Sequence, residues 1–212
     1  MLRPGNRNFA IAQAPGIPGG LISGGAGLIY HGTTDWELDE GDEAGWTAIS
    51  PVNDSIIYRA WRYAINVTRS NNRGGSYTAG SLLNGGGGIF IFEPGAWNAP
   101  MIMAPSNPSV LFLARQKILK SADGSDSWST ISGVLDNNYA TAMAMSWNGI
   151  DTLYVGTAPM ATSAHIFRST NGGSAWQNVT GSLPNRVPLD LAVDPFNAAI
   201  VSSKKISRAA CS

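Results

Sequence analysis

Six of the chain's fourteen carboxylates crowd into one short run, as Asp35, Glu37, Asp39, Glu40, Asp42 and Glu43. Two carboxylates held across a cleft can hydrolyse a glycosidic bond, one as acid and the other as base or nucleophile. A cluster of hard oxygens can instead hold a calcium ion, although the run has no loop of recognised cation-binding spacing. Spread along a loop, the same groups are simply solvated, and that is the plainer reading here. Asp42, between Gly41 and Glu43, is the weak catalytic candidate, and its partner would have to come from elsewhere.

Other chemistries find less support. His31 and His165 lie far apart in sequence, and Cys211 is near neither, so a zinc site is not expected. His165 directly precedes the apolar pair Ile166-Phe167 and reads as a hairpin residue. No Gly-x-Ser-x-Gly elbow sits between a strand and a helix. Gly85–Gly88 precede the strand-like run Ile89–Phe92 and read as a turn rather than a phosphate loop. Metal ions and cofactors are therefore not expected. Aromatic rings could stack on sugar faces, and Trp36, Trp61, Tyr63 and Trp97 are the weak candidates, with Trp61-Arg62-Tyr63 the best surface triplet. The plainer reading of these rings is core packing.

Fourteen basic and fourteen acidic residues cancel, so no global field favours nucleic acid or an anionic membrane. No apolar run reaches the length of a membrane span, and no signal peptide is read at the N-terminus. Charged residues make up only 13%, beside 25 Gly, 12 Pro and 7 Trp. That balance suits an all-β chain with many turns.

The elements that must position these groups are repeats. Three octets, beginning at Ser70, Ser121 and Ser169, share one pattern. A serine is followed two places later by Asn72, Asp123 or Asn171, and seven places later by Tyr77, Trp128 or Trp176. The fifth position is Gly74, Ser125 or Gly173. Serine and Asx side chains accept hydrogen bonds from nearby amides, glycine supplies left-handed backbone angles, and the aromatic buries a ring in the next strand. Each octet is therefore expected to close a tight hairpin, with the ring of Trp176 buried. Starts 51 and 48 residues apart signal a repeat architecture.

A second element precedes each octet and recurs once after the last. Met101–Ala104 runs into Pro105-Ser106-Asn107, Met143–Met145 into Ser146-Trp147-Asn148 with Trp147 in the proline's place, and Leu191–Val193 into Pro195-Phe196-Asn197. Thr47–Ser50 before Pro51-Val52-Asn53 is the first copy. Each reads as strand, turn and strand, with Met101/Met103, Met143/Met145 and Leu191/Val193 on one face of their strands. Four antiparallel strands in about 48 residues is the arithmetic of a propeller blade. The expected count is about three complete blades and a partial fourth, open or completed by oligomerisation. Expected boundaries are 1–44 as an irregular Gly/Pro-rich segment or part of a preceding blade, 45–201 as the repeats, and 202–212 as an atypical tail.

The octets resemble the Asp-box, or BNR repeat, of sialidases, xyloglucanases, sortilin-type receptors and exported bacterial propellers. Ile166-Phe167-Arg168-Ser169-Thr170-Asn171-Gly172-Gly173 followed by Trp176 looks most like the xyloglucanase and sortilin-like propellers. The resemblance implies that Ser70, Asn72, Gly74, Tyr77, Ser121, Asp123, Trp128, Ser169, Asn171, Gly173 and Trp176 are structural, on the blade periphery. It also implies an extracellular or cell-surface setting. The Arg-Ile-Pro motif that accompanies a sialidase arginine triad is absent, and Arg59, Arg62, Arg115, Arg168 and Arg186 do not assemble into one by sequence. The preferred expectation is a non-catalytic binding or scaffold module for a glycan or a protein. The alternatives are part of a glycoside hydrolase propeller, and a short propeller that closes its ring as a homodimer through its open edges.

Overall fold

The computed structural model describes residues 9–12, 20–23, 26–30, 36–39, 44–61, 66–79, 95–147 and 149–205. Every regular element among them is a β-strand. The first sheet comprises β1 (Phe9–Ala12), β2 (Gly20–Ser23), β3 (Ala26–Tyr30) and β4 (Trp36–Asp39). The second holds β5 (Ala44–Ile49), β6 (Ile57–Trp61), β7 (Val67–Ser70) and β8 (Thr78–Ala79). The third holds β9 (Met101–Ala104), β10 (Asn107–Ala114), β11 (Ile118–Ser121) and β12 (Ser129–Thr130). The fourth holds β13 (Ala140–Met145), β14 (Leu153–Thr157), β15 (Ile166–Ser169) and β16 (Gln177–Asn178). The fifth has β17 (Pro188–Val193) and β18 (Val201–Lys205).

Strands pair antiparallel in chain order within every sheet. The first strands of successive sheets lie against one another, β1 on β5, β5 on β9, β9 on β13 and β13 on β17. The result is an open arc of propeller blades, all-β as expected. Among the described residues it holds four four-stranded sheets and one of two strands, one unit more than the octets count. The extra sheet falls within residues 1–44, expected to be irregular or part of a preceding blade. Its short strands carry neither an octet nor a Pro-x-Asn turn, so the repeat pattern passes over them. Ser202–Lys205, assigned to the tail, belong to β18, where the backbone ladder to Asp190, Leu191 and Ala192 fixes them without an apolar pattern.

Among the described side chains three apolar seams join the second to fifth sheets, and strand periodicity assigns each side chain to one of them. In β10, Leu111 and Leu113 face back onto Tyr58, Ala60 and Val67 of the second sheet. Their neighbours Val110, Phe112 and Ala114 face forward onto Met143, Leu153 and Val155 of the fourth. The third seam sets Ala144, Tyr154 and Ile166 against Leu191. Met101 and Met103 share the first seam, Met143 and Met145 the second, and Leu191 and Val193 the third, as their spacing predicts.

The three octets fold alike. Each serine hydroxyl donates to the Asx Oδ1 two residues on, at 2.9 Å for Ser70–Asn72, 2.8 Å for Ser121–Asp123 and 2.9 Å for Ser169–Asn171. The same oxygen accepts from the fifth amide, Gly74 at 2.8 Å, Ser125 at 2.9 Å and Gly173 at 2.9 Å. The Asx Oδ1 accepts in turn from the seventh amide, Ser76, Ser127 or Ala175, at 2.8–2.9 Å. Only that oxygen is needed, so Asn serves as well as Asp. Burial pushes the Asp123 carboxyl up, but hydrogen bonds from Ser127, Ser121 and the backbone outweigh it and hold the group below its ordinary value.

Positions four and five are both left-handed in every copy. The φ angles are 59° and 88° at Arg73-Gly74, 72° and 75° at Gly124-Ser125, and 67° and 90° at Gly172-Gly173. The fourth amide then donates to a carbonyl just past the preceding Pro-x-Asn turn: Arg73 to Ser55 at 3.1 Å, Gly124 to Ser109 at 2.8 Å and Gly172 to Asp151 at 2.9 Å. Each octet is thus a clip that fastens the hairpin between strands three and four to the turn between strands one and two. This contact explains why the two elements recur together.

The octet aromatics are less enclosed than expected. Trp128 and Trp176 are half-buried, each at the seam with the preceding sheet, and the Trp176 indole N–H donates to the Gly173 carbonyl at 2.9 Å. A position beside a short outer strand leaves one edge of the ring open to solvent. Tyr77 is also half-buried, with the Arg59 guanidinium 3.7 Å from its ring centre.

Candidate binding cleft

Where the innermost strands β5 and β9 meet, their pleats leave an apolar cleft of about 240 Å³. Trp46 and Ile49 line it from β5, Met101 and Met103 from β9, and Pro105 and Trp147 from the turns beyond β9 and β13. Trp46 is half-buried, and its indole N–H donates to the Asn98 carbonyl at 3.3 Å. Trp147 is 51% exposed, so its ring is free to cover a ligand. Thr47 also lines the cleft, and its buried hydroxyl has no hydrogen-bond partner. Apolar and aromatic walls are the ordinary lining of a ligand site.

Neither Trp46 nor Thr47 stands out in the sequence, because both sit in a strand whose partner across the cleft lies about 55 residues away. Trp147 does carry a signal. It replaces the proline of its turn, placing a large ring where the other copies have a small rigid one. Of the aromatic candidates, Trp97 is exposed ahead of β9, and Trp61 is half-buried at the end of β6. Trp36 opens β4, with Tyr30 opposite. Arg62, Tyr63 and Asp42 lie outside the described residues. The structure does not bring Trp61 or Trp97 into the cleft lining.

At the opposite ends of the strands, the loop between β12 and β13 meets the loop between β14 and β15. Asp136 Oδ2 lies 2.7 Å from His165 Nδ1 and accepts from the Thr157 hydroxyl at 2.6 Å and Asn138 Nδ2 at 3.0 Å. Asn138, fully buried, accepts three amides at Oδ1, from Met160, Ala161 and Thr162, at 2.8–3.0 Å. His165 is therefore more than a hairpin residue, since it closes a polar network that staples two loops. Among the described residues no group of three or more metal-ligating side chains occurs.

Several carboxylates are engaged in the scaffold. Asp54 holds Arg73 through two hydrogen bonds at 2.9 and 3.0 Å, and Asp126 lies 3.2 Å from Arg69. Asp194 caps its own turn by accepting from the Phe196 and Asn197 amides. The arginines are dispersed over the sheets: Arg59 on β6, donating to Thr68 at 3.1 Å, Arg115 after β10, and Arg168 on β15. Arg186 is exposed ahead of β17.

No protein-family model matches the chain, and no curated protein sequence does. Solved structures do. An ancestral GH74 enzyme superposes with a TM-score of 0.69 at 24% identity, over 91% of this chain and 28% of that one. The GH74 enzyme of Niastella koreensis superposes with a TM-score of 0.55 at 17% identity, over 71% of this chain and 24% of that one. The chain thus spans about a quarter of the length of these enzymes. What it shares with them is the β-propeller fold.

Proposed function

We propose that the chain is a non-catalytic propeller module that binds a glycan ring in the cleft between β5 and β9. The observation that carries this reading is that two tryptophans, Trp46 and Trp147, line one apolar cleft with Met101 and Met103. Indole faces stack on the apolar face of a pyranose. Trp147→Ala is expected to weaken binding at least about tenfold while leaving the fold intact, because an exposed interface tryptophan carries a large share of binding energy. The check is a glycan array probed with the labelled chain, followed by calorimetric titration of the best binder against wild type and Trp147→Ala. Equal affinity of the two proteins would remove the cleft from the account. Capture of apolar peptides instead of glycans would make it a protein-binding module.

The likeness to two GH74 enzymes favours a second reading, in which the chain is part of a glycoside hydrolase propeller. Release of reducing ends from β-glucans, abolished by Asp42→Asn, would replace the binding reading with that one.

A further inference from the structure

Three Asn-x-Ser/Thr triplets without a central proline occur in the sequence: Asn53-Asp54-Ser55, Asn66-Val67-Thr68 and Asn178-Val179-Thr180. An asparagine two residues before a hydroxyl side chain is the acceptor pattern for attaching a glycan to the side-chain amide nitrogen, provided that an enzyme can reach it. A pattern this short also arises wherever the fold itself needs the same residues.

The first two triplets are accounted for by the fold. Asn53 belongs to the turn between β5 and β6, and its Oδ1 accepts the Ser55 amide at 3.1 Å. In the matching turns Asn107 accepts the Ser109 amide at 3.1 Å and Asn197 the Ala199 amide at 3.0 Å. The turn therefore selects asparagine, whether or not a hydroxyl residue follows. Asn66 is only 4% exposed, and Thr68 beside it is buried in β7. Its amide is out of an enzyme's reach in the folded chain.

Asn178 has no such reason. It lies on β16 opposite Phe167, as Thr130 lies on β12 opposite Leu119 and Ala79 on β8 opposite Thr68. What the fold uses here is the hydroxyl two residues further on. The Ile166 amide donates to Thr180 Oγ1 at 2.9 Å, as the Ile118 amide does to Ser132 Oγ at 2.9 Å. The third sheet meets that need with no asparagine. Asn178 is exposed because it sits on an outermost strand, since Thr130 is equally exposed although the fourth sheet packs against the third. Asn178 Oδ1 accepts both the Thr180 hydroxyl at 2.6 Å and the Thr180 amide at 2.9 Å. These bonds tie the oxygen to the turn and leave Nδ2 without a partner among the described residues.

We propose that Asn178 is a glycosylation acceptor, modified at Nδ2 on the folded chain by an oligosaccharyltransferase. The co-substrate is a lipid-linked oligosaccharyl diphosphate. The bond from Nδ2 to the sugar C1 forms as the bond from C1 to the diphosphate oxygen breaks. The diphosphate leaves with the electron pair, and one amide proton passes to a base on the transferase. The attached glycan stands on the last strand of the fourth sheet, whose edge is otherwise open to pairing with another chain.

The test is incubation of the purified, folded chain with a single-subunit oligosaccharyltransferase and its lipid-linked donor, followed by intact-mass and peptide-mass mapping. A standard acceptor peptide confirms that the enzyme is active, and free peptides of residues 63–71 and 175–183 serve as references. A single glycan is expected on the chain, at Asn178, whereas Asn66 should be modified in its peptide and not in the chain. Asn178→Thr, which copies the third sheet, should lose the modification completely and keep the near-ultraviolet circular dichroism of wild type. A chain left unmodified at Asn178 while the 175–183 peptide is modified would overturn the proposal, because the fold then hides the site. Failure of both would overturn it too, because the triplet is then no acceptor, as would modification of the chain chiefly at Asn53 or Asn66.

Discussion

Asn138→Ala is expected to destabilise the chain by about 3–5 kcal/mol, because one buried side chain serves two loops. Its Oδ1 accepts the amides of Met160, Ala161 and Thr162, and its Nδ2 reaches Asp136 at 3.0 Å, the Thr162 hydroxyl at 2.8 Å and the Ser163 carbonyl at 2.9 Å. Alanine leaves three neighbouring amides without their acceptor and removes a donor from the Asp136 carboxylate. The loop between β14 and β15 is then held mainly by Thr157, His165 and the contact of Asn185 Oδ1 with the Ala164 amide. Urea denaturation measures the loss, and Ser163→Ala, exposed in the same loop, is the control. A change below about 1 kcal/mol would mean that solvent replaces the side chain and that the network is not a staple.

Ser169→Ala is expected to cost about 2–4 kcal/mol, a large effect for one oxygen atom. Ser169 is buried, accepts from the Gly173 amide at 2.9 Å and donates to Asn171 at 2.9 Å. Without the hydroxyl, the Gly173 amide has no acceptor inside the turn, and Asn171 loses the contact that aims it at Ala175. The two left-handed residues Gly172 and Gly173 are then less well held, and the clip to Asp151 weakens with them. Ser174→Ala in the same turn is exposed and should change stability by less than about 0.5 kcal/mol. Thermal or urea unfolding of the two variants side by side separates the hub from its neighbours.

The octets were legible in the sequence because their chemistry is local. A hydroxyl, a side-chain carbonyl and two left-handed residues within eight positions fix one another, whatever surrounds them. The paired methionines were legible for a similar reason, since alternation along a strand needs no knowledge of its partners. The first sheet was legible only as the alternative of a preceding blade, because Ala26–Tyr30 carries no alternating polar face and the glycines and prolines before it read as irregular chain. Nor did Ser202–Lys205 announce a strand, since its pairing with β17 is a backbone ladder rather than an apolar stripe.

The cleft was harder still. Trp46 and Met103 become neighbours only once the second and third sheets stack, and neither residue departs from what a buried strand would contain. Asp136 and His165 lie 29 residues apart and meet because alternate connections of a meander return to one end. Sequence separation hides such pairs, whereas an octet carries its own partners. The half-exposed Trp176 corrects the buried ring that aromatic size alone suggests, because the outermost strand has only two residues to cover it.

Amide hydrogen exchange across the three octets tests most directly the claim that they are structural clips that hold the blades together. The account expects the Gly74, Ser125 and Gly173 amides, and those of Gly124 and Gly172, to exchange as slowly as the strand amides of β7, β11 and β15. Ser169→Ala should release Gly172 and Gly173 alone, leaving the other two octets protected. Exchange of the octet amides as fast as that of the exposed segment Gly181–Asn185 would contradict the account.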